Sequence, residues 1–296
     1  MFKEEQQKKT AEINRILSEY LPKEEGFQGK IMEAMQYSVT AGGKRLRPML
    51  LWEVYRMFGG TDEETVAPFM AAIEMIHTYS LVHDDLPAMD NDTYRRGKLT
   101  THAKYGEAMG VLTGDALLNY AFEVMAAAVA EAKEEQIRPA AKALRIMAEK
   151  AGIYGMIGGQ VVDTEPHGET TIELLDYINK RKTAALLEAC MMTGATLAGA
   201  KQEDVQKLEE IAEKVGLAFQ VQDDILDVTA NEEVLGKPLH SDEKNGKQTY
   251  VALVGLDGAR EVVSRLSKEA VEAFDILPYE NAFLRELLLS LITREH

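Results

Sequence analysis

Apolar residues along this chain recur with the spacing of a helix. Over 66–83, Phe69, Ala72, Ile73, Met75 and Ile76 fill one broad helical face. The same periodicity predicts helices over 114–133, 137–151, 171–198, 204–228, 258–274 and 279–293. Eight prolines, at positions 22, 48, 68, 87, 139, 166, 238 and 278, fall at or near the ends of these segments. Proline is tolerated in a helix's first turn and disruptive in its interior, so this placement agrees with the helices. No run of alternating polar and apolar residues bounded by hairpin turns stands out. The pattern predicts an all-α fold of about ten to twelve helices. No low-complexity linker divides the chain, so a single domain over 1–296 is expected. The short polar stretch 229–247 reads as a functional loop.

Composition narrows the partners. Hydrophobic residues make up 46% of 296 residues, enough for a large core and too many for a disordered chain. The balance of 33 Lys+Arg against 49 Asp+Glu leaves a net charge of −16. That charge opposes a nucleic-acid binder and a basic membrane-surface protein, both of which depend on Lys and Arg. The chain opens Met1-Phe2-Lys3-Glu4-Glu5, with no apolar signal core. Its most apolar stretch, 184–200, carries Glu188 and reads as a buried helix, not a membrane span. A lone cysteine, Cys190, forms no intrachain disulfide, and a cytoplasmic location is expected.

Two acidic clusters change the picture. The first is Asp84-Asp85-Leu86-Pro87-Ala88-Met89-Asp90, directly after an apolar helix. Pro87 ends or bends that helix, so a turn brings Asp90 round. The second is Asp223-Asp224-Ile225-Leu226-Asp227, where Asp223 and Asp227 share a helical face and repel by a few tenths of a kcal/mol. Taken alone, a pair of aspartates is more often a solvated acidic face. Their apolar flanks, Leu81-Val82 and Phe219, Val221, Ile225 and Leu226, point instead to the lining of a cavity. Oxygen-only donors suit a hard cation such as Mg²⁺. His77 and His83 stand six apart without a His-Glu-x-x-His run, which opposes zinc.

Cations lie beside the acids. Gly42-Gly43-Lys44-Arg45-Leu46-Arg47-Pro48 opens a helix, with Pro48 suited to its first position. Lys44 and Arg47, three apart, project together at a helix N-terminus, where backbone amides favour an anion. The alternative for this segment alone is a glycine turn with surface cations. Arg95, Arg96 and Lys98 follow the first cluster, Lys182-Thr183 opens the apolar stretch, and Lys237 and Lys247 follow the second cluster. Carboxylates repel a diphosphate unless a metal bridges them, whereas arginine binds phosphate through its planar fork. Two acidic clusters and several separated cations therefore fit two diphosphates in one helical cavity. No phosphate-binding Gly-x-x-x-x-Gly-Lys-Ser/Thr loop is present, which opposes an ATPase.

The ordered set Gly42–Pro48, Asp84-Asp85-x-x-x-x-Asp90, Arg95-Arg96-Gly97, Gly158-Gly159-Gln160, Lys182-Thr183 and Gln220-Val221-Gln222-Asp223-Asp224-x-x-Asp227 resembles the short-chain trans-isoprenyl diphosphate synthases. It is most similar to the bacterial farnesyl diphosphate synthases among them. The resemblance implies an all-α, single-domain helical bundle around a central cavity, and a homodimer. It implies condensation of dimethylallyl or geranyl diphosphate with isopentenyl diphosphate. Asp84, Asp85, Asp90, Asp223, Asp224 and Asp227 would hold Mg²⁺ on the allylic diphosphate. Arg95, Lys182 and Lys237, with Lys247 near, would clamp the same group. Lys44, Arg47, His77 and Arg96 would bind isopentenyl diphosphate. Thr183 and Gln220 would face the developing allylic cation beside Lys182. An arginine-bearing tail occurs near the isopentenyl site in relatives, which gives Arg294 light weight here.

In that family the residues just before the first cluster set product length. Tyr79 stands five residues before Asp84, roughly 7.5 Å back along the helix, and Ser80 lies on the face of Asp84. A floor at Tyr79 implies a fifteen-carbon product; a core tyrosine is the plainer alternative. A geranylgeranyl diphosphate synthase would differ only at that floor. A terpene cyclase would leave Lys44 and Arg47 without a second diphosphate. A non-catalytic subunit of a heteromeric prenyltransferase is opposed by two intact acidic clusters.

Overall fold

The computed structural model describes residues 2–166, 168–229 and 249–293. The expected all-α architecture holds, with thirteen α-helices and one π-turn among the described residues. The chain divides into two compact units, residues 1–144 with 196–198, and residues 145–195 with 199–296.

The first unit is built around α4 (Glu63–Asp84), against which α1 (Phe2–Tyr20), α2 (Gly29–Val39), α3 (Leu46–Met57) and α6 (Glu107–Ala130) pack. From Val66 to Ile76 every residue of α4 is buried, because apolar side chains occupy all its faces. Asp62 caps it, accepting from the Glu64 amide at 3.1 Å, and Glu63 and Glu64 complement its dipole. α6 approaches the end of α4 closely at two glycines. A β-carbon at Gly110 would press on Leu86 and His102, and one at Gly114 would overlap the His83 ring. The short α5 (Thr101–Tyr105) joins the loop below α4 to α6, and α7 (Glu134–Ala151) begins in this unit.

The second unit is organised on α11 (Gln202–Thr229), which packs on α12 (Tyr250–Asp275), α13 (Ala282–Ile292) and the π-turn Lys180–Ala184. Leu175, Val221, Ile225, Tyr250 and Ala259 form a core cluster between α9 (Ile172–Asn179), α11 and α12. Helix α12 is interrupted at Gly255, whose φ of 73° only glycine adopts freely, in keeping with a predicted start near 258. α8 (Met156–Thr164) and α10 (Ala185–Leu197) complete this unit. Glu188 on α10 is buried, and Lys150, which also holds Glu209 at 2.6 Å, donates to it. No helix of the described residues is long and apolar enough to cross a membrane.

Three local expectations change. The helix expected over 171–198 is broken into α9, the π-turn and α10. Pro68 and Pro139 lie inside α4 and α7, each five residues beyond the first helical position. The carbonyls they leave unbonded belong to Glu64 and Glu135, both exposed, so water can satisfy them. Tyr94–Arg95 (β1) and Lys98–Leu99 (β2) form a minimal antiparallel hairpin that no alternation announces. Its turn residues Arg96 and Gly97 both have positive φ, 53° and 74°, as a two-residue primed turn requires.

Candidate active site

The loop before α3 is set by one arginine. Arg45 occupies the left-handed region at φ 51° and is buried. It donates through Nη1 to Glu74 Oε1 at 2.6 Å, through Nη2 to the Val39 carbonyl at 2.7 Å and through Nε to Asn14 Oδ1 at 2.8 Å. Three acceptors on three elements leave Arg45 a structural bolt, and Lys44 is exposed beside it. Arg47 sits half-buried in the first turn of α3. Pro48 is the third helical residue, not the first, and still within the turn whose amides have no intrahelical partner. The Arg96 guanidinium reaches back to this loop, donating to the Gly42 carbonyl and lying where a Gly43 β-carbon would be.

The first acidic cluster forms as the proline pattern predicts. α4 stops at Asp84, and the chain turns so that the Asp90 amide donates to the Asp84 carbonyl at 2.8 Å. Asp84 is half-buried and Asp90 exposed. Asp85 is buried and spends both oxygens on Arg95, at 2.8 and 3.1 Å from Nε and 2.6 Å from Nη2. Burial pushes the Asp85 carboxyl above the usual carboxylate range while Arg95 pulls against it. A cavity of about 40 Å³ collects His77, Asp85, Arg95 and Arg96, with Glu74 in its wall.

His77 lies in that cavity under several positive charges. Burial, then Arg47, Arg96, Arg95 and Arg45, hold its imidazole well below the ordinary value near 6.5. It therefore stays neutral at pH 7, a hydrogen-bonding group that adds no charge. Since the folded state refuses a proton that the unfolded chain accepts, stability present above about pH 6.5 is lost as pH falls below it. Thermal unfolding from about pH 7.5 to about pH 5 should show this loss, and His77→Gln should flatten it. An unchanged slope in that variant would assign the acid sensitivity to other groups. Ser80 donates to the His77 carbonyl at 2.9 Å, and Tyr79 is buried with its ring edge-on to His83 at 5.8 Å.

In the second unit the π-turn carries Lys182 and Thr183. Two glycines make room for it. A β-carbon at Gly159 of α8 would overlap the backbone at Lys182, and one at Gly216 of α11 would strike Ala184. The Gly158-Gly159-Gln160 motif is thus in part a packing requirement. Lys182 donates to Asp163 Oδ2 at 2.6 Å, and Thr183 donates to Gln220 Oε1 at 3.1 Å. Gln220, Asp223 and Asp227 follow one another along one stripe of α11. Asp224 is buried, and its Oδ2 accepts from the Tyr250 amide at 2.9 Å at the start of α12. Tyr250 in turn donates its hydroxyl to Asp176.

The structure thus gathers His77, Asp85, Arg95 and Arg96 in one cavity, and Lys182, Thr183 and Gln220 at one π-turn. Lys237, Lys247 and Arg294 lie outside the described residues. Among the described residues no three His, Cys, Asp or Glu side chains gather to hold a metal ion. Sequence reasoning missed Glu74 and Asp163. Glu74 is an acid at a core position of α4, and Asp163 lies one turn after the glycine motif on α8; both positions were available as signals.

These parts recur in known proteins. The polyprenyl synthetase family model matches residues 28–275, a span that includes both aspartate clusters and the π-turn. The chain belongs to the polyprenyl synthetase family. It is 46% identical to a farnesyl diphosphate synthase of Geobacillus stearothermophilus over 84% of this chain and 83% of the relative. It is 44% identical to a geranylgeranyl diphosphate synthase of Cyanophora paradoxa over 85% and 82%. A geranyltransferase of Helicobacter pylori, solved with magnesium and isoprenyl diphosphate, shares the fold at a TM-score of 0.80. It has 35% identity over 94% of this chain and 93% of its own. As a polyprenyl synthetase the chain is a prenyltransferase with the isoprenyl-synthase helical fold.

Proposed function

We propose that this prenyltransferase makes farnesyl diphosphate, joining dimethylallyl and then geranyl diphosphate to isopentenyl diphosphate, and that 1–296 works as one catalytic domain. The cavity holding His77, Arg95 and Arg96 beside the Asp84–Asp90 turn carries this reading, since it pairs guanidinium forks with carboxylate oxygens. Lys44, Arg47, His77 and Arg96 bind isopentenyl diphosphate. Arg95, Lys182, Lys237 and Lys247 hold the allylic diphosphate.

The donors fit magnesium. Asp84 and Asp90, tied into one turn, would offer carboxylate oxygens to the ion, and Mg²⁺ is commonly held by one or two carboxylates together with waters and phosphate oxygens. Asp223 and Asp227 offer a second pair, with Asp224 anchored on Tyr250 through one oxygen. Asp85 joins the metal oxygens only by releasing Arg95. Bound there, the ion would neutralise charge on the diphosphate as it leaves.

The allylic C–O bond breaks and its electron pair leaves with pyrophosphate. Arg95 and Lys182 stabilise the departing group. Thr183 and Gln220 present oxygen dipoles to the allylic cation. The isopentenyl alkene forms the new C–C bond, and a proton then passes to the pyrophosphate, which stands as the base. Apolar walls exclude water that would trap the cation.

Tyr79 supports the fifteen-carbon product, because its ring is a bulky buried group one and a half turns before Asp84. Relatives carrying both product names make a twenty-carbon product the competing outcome. Chromatography of products from geranyl and isopentenyl diphosphates decides it. Farnesyl diphosphate should dominate, and geranylgeranyl diphosphate as the main product would refute the assignment. A cytoplasmic homodimer completes the proposal. Val111 and Leu112 of α6 are exposed apolar side chains of the kind a second copy covers, and light scattering tests this.

A further inference from the structure

We propose that His83 is a positioning residue for product length, holding the Tyr79 ring in place through the contact between α4 and α6. This rests on the chain-length reading of Tyr79. Tyr79 and His83 stand four residues apart on α4, so their side chains share a face, and their rings meet edge-on at 5.8 Å and 85°. The Tyr79 hydroxyl is buried with no hydrogen-bond partner among the described residues, so packing against them fixes where that ring lies. His83 is fixed more firmly. Its Nε2 lies 3.0 Å from the Val111 carbonyl of α6, which can only accept, so Nε2 carries the proton. Gly114, one turn further along α6, leaves the space the imidazole fills; any β-carbon there would overlap it.

The resulting chain of contacts runs from α6 through His83 to Tyr79, along the last one and a half turns of α4 before Asp84. An allylic tail anchored by its diphosphate near Asp84 must pass the tyrosine as it grows. If His83 moves, Tyr79 loses its edge contact and gains room to turn aside. The floor then yields while the diphosphate-binding groups stay in place. Product length is accordingly set jointly by the tyrosine and by a glycine on a different helix, Gly114, which acts through the His83 ring.

Three variants in the full-length enzyme test this, each assayed with geranyl and isopentenyl diphosphates and with a thermal melt. Gly114→Ala expels the imidazole, and His83→Gln keeps a donor for Val111 but removes the ring. Both should raise the ratio of twenty- to fifteen-carbon product by about two- to tenfold, the scale of one aromatic contact. Tyr79→Ala should raise it further. If Tyr79→Ala lengthens the product and the other two do not, His83 has no positioning role and the tyrosine floor stands. If Tyr79→Ala leaves product length unchanged, the floor itself is wrong and the inference falls with it. Should Gly114→Ala fail to fold, His83→Gln decides alone.

Discussion

Asp84→Ala is expected to lower prenyl transfer on the order of a thousandfold while leaving the far-ultraviolet helical spectrum intact. Asp84 is the last residue of α4, half-buried, and its backbone carbonyl already closes the turn to the Asp90 amide. Alanine keeps that backbone bond, so the turn should survive and only the carboxylate is lost. Its loss removes one of the two carboxylates of the first cluster's turn, Asp84 and Asp90, through which a bound metal would let an anionic protein surface hold an anionic diphosphate. The defect should therefore appear in turnover, and raising magnesium should recover part of it. Chelation of the native enzyme by EDTA should abolish transfer by the same logic. Near-normal turnover in Asp84→Ala, or activity indifferent to EDTA, would overturn the metal assignment.

The second large effect concerns stability. Arg45→Met should lower the apparent Tm by roughly 10 °C, because removing one member of a buried ion pair costs about 3–5 kcal/mol. Arg45 and Glu74 are 5% and 3% exposed, so the carboxylate left behind has no water to replace the guanidinium. The Val39 carbonyl and Asn14 would lose their donor as well. Replacing both partners, Arg45→Met with Glu74→Leu, should recover much of the loss, since no buried charge is then stranded. A single-variant melt within a degree or two of the native protein would show that Arg45 does not hold the loop. Arg96 donates to Gly42 in that loop, so affinity for isopentenyl diphosphate should fall together with stability.

Much of this was legible in the residues. The apolar period of α11 and α13 was legible because each helix buries one face against its neighbours, while α4 was legible as a long apolar helix buried on every side. The Asp84–Asp90 turn was legible because Pro87 cannot continue a helix. Lys182 and Thr183 were identified, but the π-turn that carries them was not. One extra residue per turn leaves no mark in the run Lys180-Arg181-Lys182-Thr183-Ala184, and what makes room for it is a pair of glycines, Gly159 and Gly216, on two other helices. Asp85 illustrates the same limit. Three acids within seven residues look alike in sequence, and only packing makes one of them a partner of Arg95.

The sequence by itself determined the helical class, the family and the two sets of carboxylates and cations, since these follow from local period, turn chemistry and residue type in order. Only the tertiary structure decided which like residues serve the ligand and which serve the fold. Lys44, Arg45 and Arg47 stand within four positions of one another, yet Arg45 is bolted to Glu74 while Lys44 stays exposed. Tyr79 and His83 stand on one helix, yet a glycine of another holds them. The physical reason is that a charge or a ring is committed by its nearest partners, and those come from residues about thirty positions away in the chain.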